Sequence, residues 1–410
     1  MDMAPHSLVT PLGLALGLSL WVASGLAQDT RPDASTHGSW LVLDDAAPAL
    51  REPREGARRR GTVRVNTRMP NLGLVRGSGC PGESWARVGP QLYICAEHVR
   101  ASRLPPAGES IPRVAEGEIL PRRYAFVRYD GTRAYRHPND AFVDRFEETY
   151  GEGFGLVVTE RRDVRDVPFL KTRRGLWVEA DSLGFARGSS FAGQEIAVGA
   201  AGDLGWVLPR HANVHARRGG RVTGRLGRRE VVHIASTRRG WVELVGGGFM
   251  RERDVAHMTR APRPSELRDD ERWIDVDVGE QVLTVYEGMR PVFATLVSTG
   301  RADAEHATPL GEFHIWAKLA FSDMTNLARA NVRRNYAIEA VPWVQYFERA
   351  NGLHAAFWHD DFGHRHSHGC VNLSPRDARR LFDLTSPALP VGWKAILPEA
   401  ADQPTLVRVR

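Results

Sequence analysis

Long apolar runs are scarce in this sequence, and only one reaches the length of a membrane span. It extends from Leu8 to Ala27, and the small residues Gly25 and Ala27 precede Gln28. This pattern predicts a signal peptide, residues 1–27, with cleavage near Ala27. An uncleaved anchor is the alternative, because no Lys or Arg precedes the run. We therefore expect an exported protein, periplasmic or associated with the cell wall, with no stable membrane span after cleavage.

Cysteine is also scarce, with three residues in a chain of 410. Cys80 and Cys95 lie close in sequence, whereas Cys370 lies far downstream. In an exported chain a Cys80–Cys95 disulfide is favoured over two reduced thiols. Closing such a short loop contributes about 3 kcal/mol in the chain-entropy model. The cysteine left over indicates an intermolecular bridge or a reactive thiol.

The sequence also lacks a base-stacking motif beside its basic residues, although its formal net charge is +6 and its pI is about 9.5. These residues are spread along the chain, and the densest run, residues 51–60, lies in a stretch typical of a solvated linker. This pattern disfavours nucleic acid as a partner. For an exported protein, anionic polymers of the cell envelope are the expected electrostatic partners.

Most of the first 258 residues have the composition of a spacer followed by small β units. Residues 28–60 are polar, contain proline and show no helix or strand periodicity, so we predict a flexible spacer. Short β-type runs interrupted by glycine follow over residues 61–258 and predict small barrels or sandwiches. A faint repetition resembles bacterial SH3-like modules at approximately 61–105, 120–185 and 206–258, with Trp85, Trp177 and Trp241 in similar strands. A single irregular β domain is the alternative.

A second change in composition predicts another domain boundary. Residues 259–270 contain proline and dense charge, which is typical of a linker. Apolar and polar residues then alternate over 273–278 as in a half-buried strand, and an EG pair at 287–288 separates two strands as in a hairpin. We predict a mainly β domain over residues 271–398 and a C-terminal tail over 399–410.

The remaining cysteine lies in a context that suits a nucleophile. A thiol attacks as its thiolate and so needs a nearby base or cation. Cys370 follows His368 and Gly369, and glycine at this position lets the backbone turn sharply. The sequence SPRD at 374–377 matches the first positions of a capped helix, which predicts a short helix after the cysteine. The base is expected from another segment, and His354 is the candidate.

Five histidines accompany this cysteine between Leu353 and Val371, which also fits the ligand count of a zinc site. Their spacings match none of the paired zinc motifs. We therefore predict no metal and no other cofactor. We expect His359, His364 and His366 to lie in a solvated turn, and a place in the lining of a groove beside Trp358 is the alternative for His359.

Four ordered motifs give the last third of the chain a resemblance to a known family. GLH at 352–354 and SHGCVN at 367–372 are separated by twelve residues. They are preceded by WIDVDVGEQVLTVYEGMRPVFATLVSTG, TPLGEFHIWAK and VPWVQYF, at 273–300, 308–318 and 341–347. Residues 271–398 therefore resemble the YkuD-type L,D-transpeptidase catalytic domain. This resemblance implies a YkuD-like β-sandwich with a short helix after the cysteine. Together with the SH3-like β-barrel modules that the upstream repetition suggests, it predicts a mainly β chain.

The resemblance also implies roles for individual residues. Cys370 would be the acyl-accepting nucleophile and His354 the proton donor and acceptor. The carbonyl of Ala355 would orient the imidazole, although relatives often have glycine or serine there. His368 and Gly369 would shape the nucleophile loop, and the N–H groups of Gly369 and Cys370 would stabilise an oxyanion. The other assignments are Ser367 and Asn372, which would hold the loop, and Trp358, His359 and Tyr346, which would line the substrate groove.

A thiol and a histidine in these roles suit acyl transfer through a thioester, and the resemblance implies a peptidoglycan stem peptide as donor and an L,D cross-link as product. The same site with water as acceptor would be an L,D-carboxypeptidase. An enzyme that attaches proteins to the wall, or detaches them, is a further alternative, and a non-catalytic wall-binding protein is the alternative from another class. Peptidoglycan stem peptides are the predicted partners, with wall-attached proteins as further candidates.

Overall fold

The computed structural model describes residues 38–327 and 336–410. Within these residues the protein consists mainly of β-strands, and one α-helix follows the free cysteine. The predicted fold class, mainly β with a short helix at this place, is confirmed. The predicted signal peptide and residues 28–37 of the predicted spacer lie outside the described residues. In the described part of the chain, every helix is too short or too polar to traverse a bilayer.

Residues 38–107 form the first β module, in a region that includes part of the predicted spacer. Its strands are β1 Ser39–Val42, β2 Ala47–Leu50, β3 Arg59–Val63, β4 Arg68–Pro70, β5 Leu74–Arg76, β6 Ser84–Gly89, β7 Leu92–Cys95 and β8 Val99–Ser102. β1 pairs with β4 and β8, and the other strands belong to a larger sheet. The prediction of a flexible spacer is wrong for residues 39–60, because the short runs SWLV and APAL bury apolar side chains in this module.

Cys80 and Cys95 are joined by a disulfide within the first module. Cys95 ends β7 and lies opposite Trp85 of β6. Both cysteines are buried beside Trp85 and Leu50. The bridge ties the loop before β6 to the end of β7, and Cys370 is the free cysteine.

Residues 120–185 form the second module, which has an apolar core of its own. Its strands are β9 Arg123–Val127, β10 Thr132–Ala134, β11 Glu148–Tyr150, β12 Gly155–Val164, β13 Val167–Thr172, β14 Trp177–Glu179 and β15 Leu183–Phe185. β12 and β13 form an antiparallel hairpin, and β9 pairs with both β12 and β15. Val127, Leu156, Leu170 and Val178 are buried together between these strands.

A linking segment, residues 186–202, contains β16 Gln194–Glu195 and leads into the third module, residues 203–257. The strands of this module are β17 Asp203–Val207, β18 His211–His215, β19 Val222–Gly227, β20 Val231–Arg238, β21 Trp241–Leu244, β22 Phe249–Arg251 and β23 Val255–His257. They form one sheet in the order β19-β18-β22-β21-β20-β17-β23. The likeness of the three modules to SH3-like barrels stays a prediction.

Residues 271–410 form the C-terminal domain, with two sheets and one helix. Its elements are β24 Arg272–Asp277, β25 Val282–Glu287, β26 Arg290–Leu296, β27 Gly311–His314, β28 Ala317–Thr325, β29 Ala337–Glu348, β30 Asn351–Ala355, β31 Val371–Leu373, α1 Pro375–Leu384, β32 Trp393–Ile396 and β33 Leu406–Val409. One sheet has the order β16-β26-β25-β24-β33-β27, so the linking segment supplies an edge strand. The other contains β28 to β31. The largest apolar core is built from both sheets and α1.

The predicted C-terminal tail is wrong, because its last residues form β33 inside the first of these sheets. β33 pairs in parallel with β24 and antiparallel with β27. Leu406 and Val407 are buried. Arg408 and Arg410 donate to the buried carboxylate of Asp275 at 2.8 and 3.0 Å. Apolar contacts and paired charges therefore fix this segment.

Helix α1 begins as the sequence predicts. The Ser374 hydroxyl accepts a hydrogen bond from the N–H of Asp377 at 3.2 Å, and Pro375 is the first helical residue. The buried Asp377 carboxylate accepts from the Thr295 hydroxyl at 2.5 Å and from the Gly193 N–H at 2.8 Å. The start of the helix is thus bonded to β26 and to the linking segment.

The end of α1 is held by Lys318 of β28. Its buried ammonium group donates to the carbonyl oxygens of Phe382 at 2.7 Å and Thr385 at 2.9 Å, where the helix dipole favours a cation. Burial lowers the pKa of Lys318 to about 7. Side chains or backbone groups of other elements therefore fix both ends of the helix that follows Cys370.

Backbone pairing joins the first two modules to the C-terminal domain. β3 pairs with β32, and Gly155 of β12 pairs with Ile338 of β29. Trp393 of β32 also lies in the core of the first module. These modules therefore share hydrogen bonds and buried apolar surface with the domain that contains Cys370.

Candidate functional site

The candidate nucleophile and base lie on neighbouring strands. β30 and β31 pair in parallel, with His354 opposite Asn372, and Cys370 directly precedes β31. Opposed residues of a sheet point to the same face, and so do alternate residues of one strand. His354 and Asn372 therefore share a face, and Cys370 lies in the bend directly before β31.

His354 is a neutral imidazole with a defined tautomer. Its side chain is buried, and Nδ1 lies 3.0 Å from the carbonyl oxygen of Ala355. A carbonyl only accepts, so Nδ1 bears the proton and Nε2 has the free lone pair. Burial lowers the pKa of His354 to about 4, and the bond to Ala355 opposes this shift. Alanine at position 355 thus leaves the required carbonyl in place.

The Cys370 thiol is half-buried and protonated at rest. It donates to the carbonyl oxygen of Ala350, with Sγ 3.7 Å from that oxygen. Burial raises the pKa of Cys370, and the N–H of Gly352 opposes the rise. The resting site therefore contains a neutral thiol and a neutral imidazole, and the thiolate has to form by proton transfer.

The nucleophile loop depends on Gly369. Its φ is +122°, and a Cβ there would lie 2.4 Å from Oδ1 of Asn351. Its N–H donates to the Ser367 hydroxyl oxygen at 3.1 Å, and that hydroxyl donates to the carbonyl oxygen of Cys370. The Ser367 N–H donates to the carbonyl oxygen of Thr299 at 3.1 Å. Because the N–H of Gly369 already donates to the Ser367 hydroxyl, the Gly369 N–H is not free for its predicted role as an oxyanion donor.

His359 is bonded within the protein and does not lie in a solvated turn. Its Nε2 is 3.0 Å from the side-chain amide of Asn372, and its Nδ1 accepts from the N–H of Asp361 at 3.2 Å. Burial and the neighbouring His366 lower the pKa of His359 to about 3. The solvated-turn prediction suits the exposed His364 and His366 but is wrong for His359, whose two ring nitrogens both have protein partners.

Two stacked aromatic rings lie beside the thiol. Tyr346 of β29 is opposite Gly352 of β30. Burial raises the pKa of Tyr346, its hydrogen bond with Ser322 opposes the rise, and the charge of Cys370 adds to it. Trp316 stacks on Tyr346 with ring centroids 5.6 Å apart, and its side chain is 46% exposed. The sequence analysis assigns Tyr346 to the substrate groove but misses Trp316. The one feature that could have indicated Trp316 is its place in the TPLGEFHIWAK motif.

Further rings surround the two candidate residues. The Trp358 ring is 5.8 Å from the His354 ring, measured between centroids. The exposed His368 lies between His306, at 4.7 Å, and Tyr336, at 5.4 Å. Sequence analysis misses His306 and Tyr336, since they come from distant segments and no local pattern marks them.

Comparison with known families gives one match, over residues 271–392. The matching family is YkuD, described as the L,D-transpeptidase catalytic domain. The segment is less than a third of the chain, and it contains β30, the nucleophile loop and α1. This match identifies residues 271–392 as a YkuD domain. No curated protein matches the chain.

Solved L,D-transpeptidase structures are similar to part of the chain. A mutant enzyme from Enterococcus faecium is 21% identical with a TM-score of 0.26, over 34% of this chain and 50% of that one. The enzyme from Stackebrandtia nassauensis is 25% identical with a TM-score of 0.25, over 37% and 58%. L,D-transpeptidase 3 from Mycobacterium tuberculosis, in complex with a faropenem-derived adduct, is 19% identical with a TM-score of 0.27, over 34% and 60%. The chain thus spans about half to three fifths of their length.

The protonation states predict how thiol reactivity depends on pH. Because burial raises the pKa of Cys370, the thiolate fraction increases as pH rises through that raised value. His354 is already neutral above its lowered pKa. We expect alkylation of Cys370 by iodoacetamide, followed by mass spectrometry, to accelerate steadily from neutral to alkaline pH. An inflection of the alkylation rate near the ordinary histidine pKa of about 6.5 would contradict a neutral thiol beside a neutral imidazole. Cys370→Ser is the control and should not be labelled.

Proposed function

We propose that the YkuD domain at residues 271–392 is a peptidoglycan L,D-transpeptidase that works by cysteine acyl transfer. The observation that carries the proposal is the parallel β30–β31 pair, because it joins the strand that bears His354 to the strand that directly follows Cys370. The bond from Nδ1 to Ala355 leaves the Nε2 lone pair of His354 to accept a proton. A thiol and a base placed in this way suffice for acyl transfer without a metal or cofactor.

In the first step, the sulfur of Cys370 attacks the carbonyl of the stem peptide's diamino residue. Nε2 of His354 takes the thiol proton as the S–C bond forms. The same nitrogen gives that proton to the departing amine of the terminal D-residue as the C–N bond breaks. The donor peptide remains on Cys370 as a thioester. A standing thiolate–imidazolium pair would cost desolvation of two charges, so the charges form only during transfer.

In the second step, the side-chain amine of another stem peptide attacks the thioester. His354 accepts a proton from this amine and returns one to the sulfur as the C–S bond breaks. The product is an amide between two stems, and both residues regain their starting states. Water as the acceptor would give L,D-carboxypeptidase activity, and a protein amine would give attachment of a protein to the wall.

The aromatic face beside the thiol supports a groove for an extended donor peptide. Tyr346 lies opposite Gly352 of β30, and the Trp358 ring lies 5.8 Å from the His354 ring. The exposed Trp316 continues this face beyond Tyr346. We assign these three side chains to donor contact and leave out His359, because its ring nitrogens are bonded within the protein.

A carbapenem tests the nucleophile directly. Its strained cyclic amide opens when a thiolate attacks, so the whole molecule stays on the enzyme. We expect a single adduct on Cys370 of the folded full-length protein, detected by intact-protein and peptide mass spectrometry. His354→Ala should slow adduct formation by about 10²–10⁴, the usual contribution of a general base.

Cys370→Ser is the control and should form no thioester adduct. A wild-type protein that remains folded, with Cys370 open to alkylation, yet forms no adduct would favour the non-catalytic wall-binding protein.

The third module has a surface that suits an anionic wall polymer. The β18–β19 hairpin, residues 210–228, has six arginines, two histidines and no acidic residue. β19 is an edge strand and is exposed over most of its length. Arg228 pairs with Asp361. The others form no ion pair with a described residue: Arg210, Arg217, Arg218, Arg221 and Arg225. We propose that this hairpin contacts polyanions of the envelope and retains the exported enzyme there.

Charge removal at the hairpin tests this contact. A triple variant should sediment less with purified cell walls, and the loss should be greatest at low salt, where screening is least. It changes Arg217, Arg218 and Arg221 to Gln. The matched control changes three exposed arginines of the β12–β13 hairpin to Gln: Arg161, Arg162 and Arg165. Equal wall binding by the two triple variants would exclude the hairpin as the contact.

A further inference from the structure

The β28–β29 hairpin reaches the nucleophile loop. The two strands pair antiparallel, with Ala317 opposite Tyr346 near one end. Tyr346 lies opposite Gly352 of β30, and the Cys370 thiol donates to the carbonyl oxygen of Ala350, two residues before Gly352. Tyr336, directly before β29, stacks on His368 of the nucleophile loop. The position of β29 therefore determines which side chains border the thiol.

Ala340 of β29 has a left-handed backbone with φ of +47°. This conformation is unfavourable for alanine and persists where surrounding groups hold it. The Ala340 N–H donates to Oδ1 of Asp323 at 2.7 Å, and the Ala340 carbonyl oxygen accepts from the Tyr124 hydroxyl at 2.7 Å. Asp323 belongs to β28 and pairs with Arg173 at 2.6 Å. Tyr124 and Arg173 both belong to the second module, so this module helps to hold the strained residue.

The two residues before Ala340 also contact the second module. Gly155 pairs in parallel with Ile338. The Val157 N–H donates to the buried carboxylate of Glu339 at 2.9 Å. The second module therefore bonds to three consecutive residues of β29.

Tyr124 also contacts the segment that follows the candidate base. Its ring stacks on Phe357 with centroids 4.0 Å apart and an interplanar angle of 28°. Phe357 lies three residues after His354 in the chain, and Tyr124 itself is 1% exposed. One side chain of the second module thus contacts both β29 and the segment after β30.

We propose that Tyr124 is a positioning residue for the acyl-transfer site. By holding Ala340 it places β29 so that Tyr346 and Tyr336 border the donor groove beside Cys370. It acts through β29 and not on the reacting atoms. The kinetic consequence rests on the proposed function, whereas the effect on β29 does not. The second module therefore contributes to donor binding.

Tyr124→Phe in the full-length protein removes the hydroxyl and keeps the ring against Phe357. We expect KM for a tetrapeptide donor to rise about fivefold, the effect of losing one ordinary hydrogen bond, while kcat stays nearly constant. Alkylation of Cys370 by iodoacetamide should be unchanged. Tyr135→Phe is the matched control, because it makes the same change at a buried ring that packs on Phe169 inside the module.

Hydrogen exchange provides a readout that does not depend on activity. Peptides from residues 337–345 should exchange faster in Tyr124→Phe than in the wild type or in Tyr135→Phe. This result supports the inference even if the wild type forms no acyl-enzyme, an outcome that would count against the proposed function alone. Unchanged exchange over these residues in Tyr124→Phe would overturn the inference.

A second pair of variants covers the case in which Tyr124→Phe does not fold. Glu339→Gln keeps an oxygen that accepts from the Val157 N–H, whereas Glu339→Leu does not. Only the leucine variant should exchange faster over residues 337–345. Equal exchange in the two variants would show that the second module does not position β29.

Discussion

The parallel hydrogen bonding of β30 to β31 is the interaction on which the candidate site depends. β31 has only three residues, and it is held on its other side by Ser298, which exchanges two backbone hydrogen bonds of 2.9 Å with Asn372. α1 follows after one residue and is fixed at both ends. The backbone therefore sets the position of Cys370 relative to His354. The second module positions β29, the strand that bears Tyr346.

The features that sequence analysis predicts correctly have local patterns. The cap residues at 374–377 predict α1, and the EG pair at 287–288 predicts the β25–β26 hairpin. The ordered motifs predict the YkuD match at residues 271–392, whereas the roles of His354 and Cys370 stay predictions. Trp316, His306 and Tyr336 reach the same site from segments far apart in sequence. No spacing rule relates such residues, since tertiary contacts alone bring them together.

The incorrect predictions concern polar segments whose partners lie elsewhere in the chain. Residues 39–60 and 399–410 have apolar runs of about four residues among charges, and a strand that short is recognisable only when a neighbouring sheet covers it. Alternation in β24 puts Asp275 with the polar residues, yet Asp275 is buried and paired with Arg408 of β33 and with Arg410, which directly follows that strand. In the sequence His359 resembles a surface histidine, but in the structure its two ring nitrogens contact Asn372 and Asp361.

Product analysis with a defined tetrapeptide muropeptide, supplied to the full-length protein as both donor and acceptor, tests the central claim most directly. The account predicts a cross-linked dimer that has lost one terminal D-residue, and no dimer with Cys370→Ser. A tripeptide as the only product would mean that water is the acceptor and would contradict transpeptidation. An unchanged muropeptide, with Cys370 open to alkylation, would contradict acyl transfer at this site.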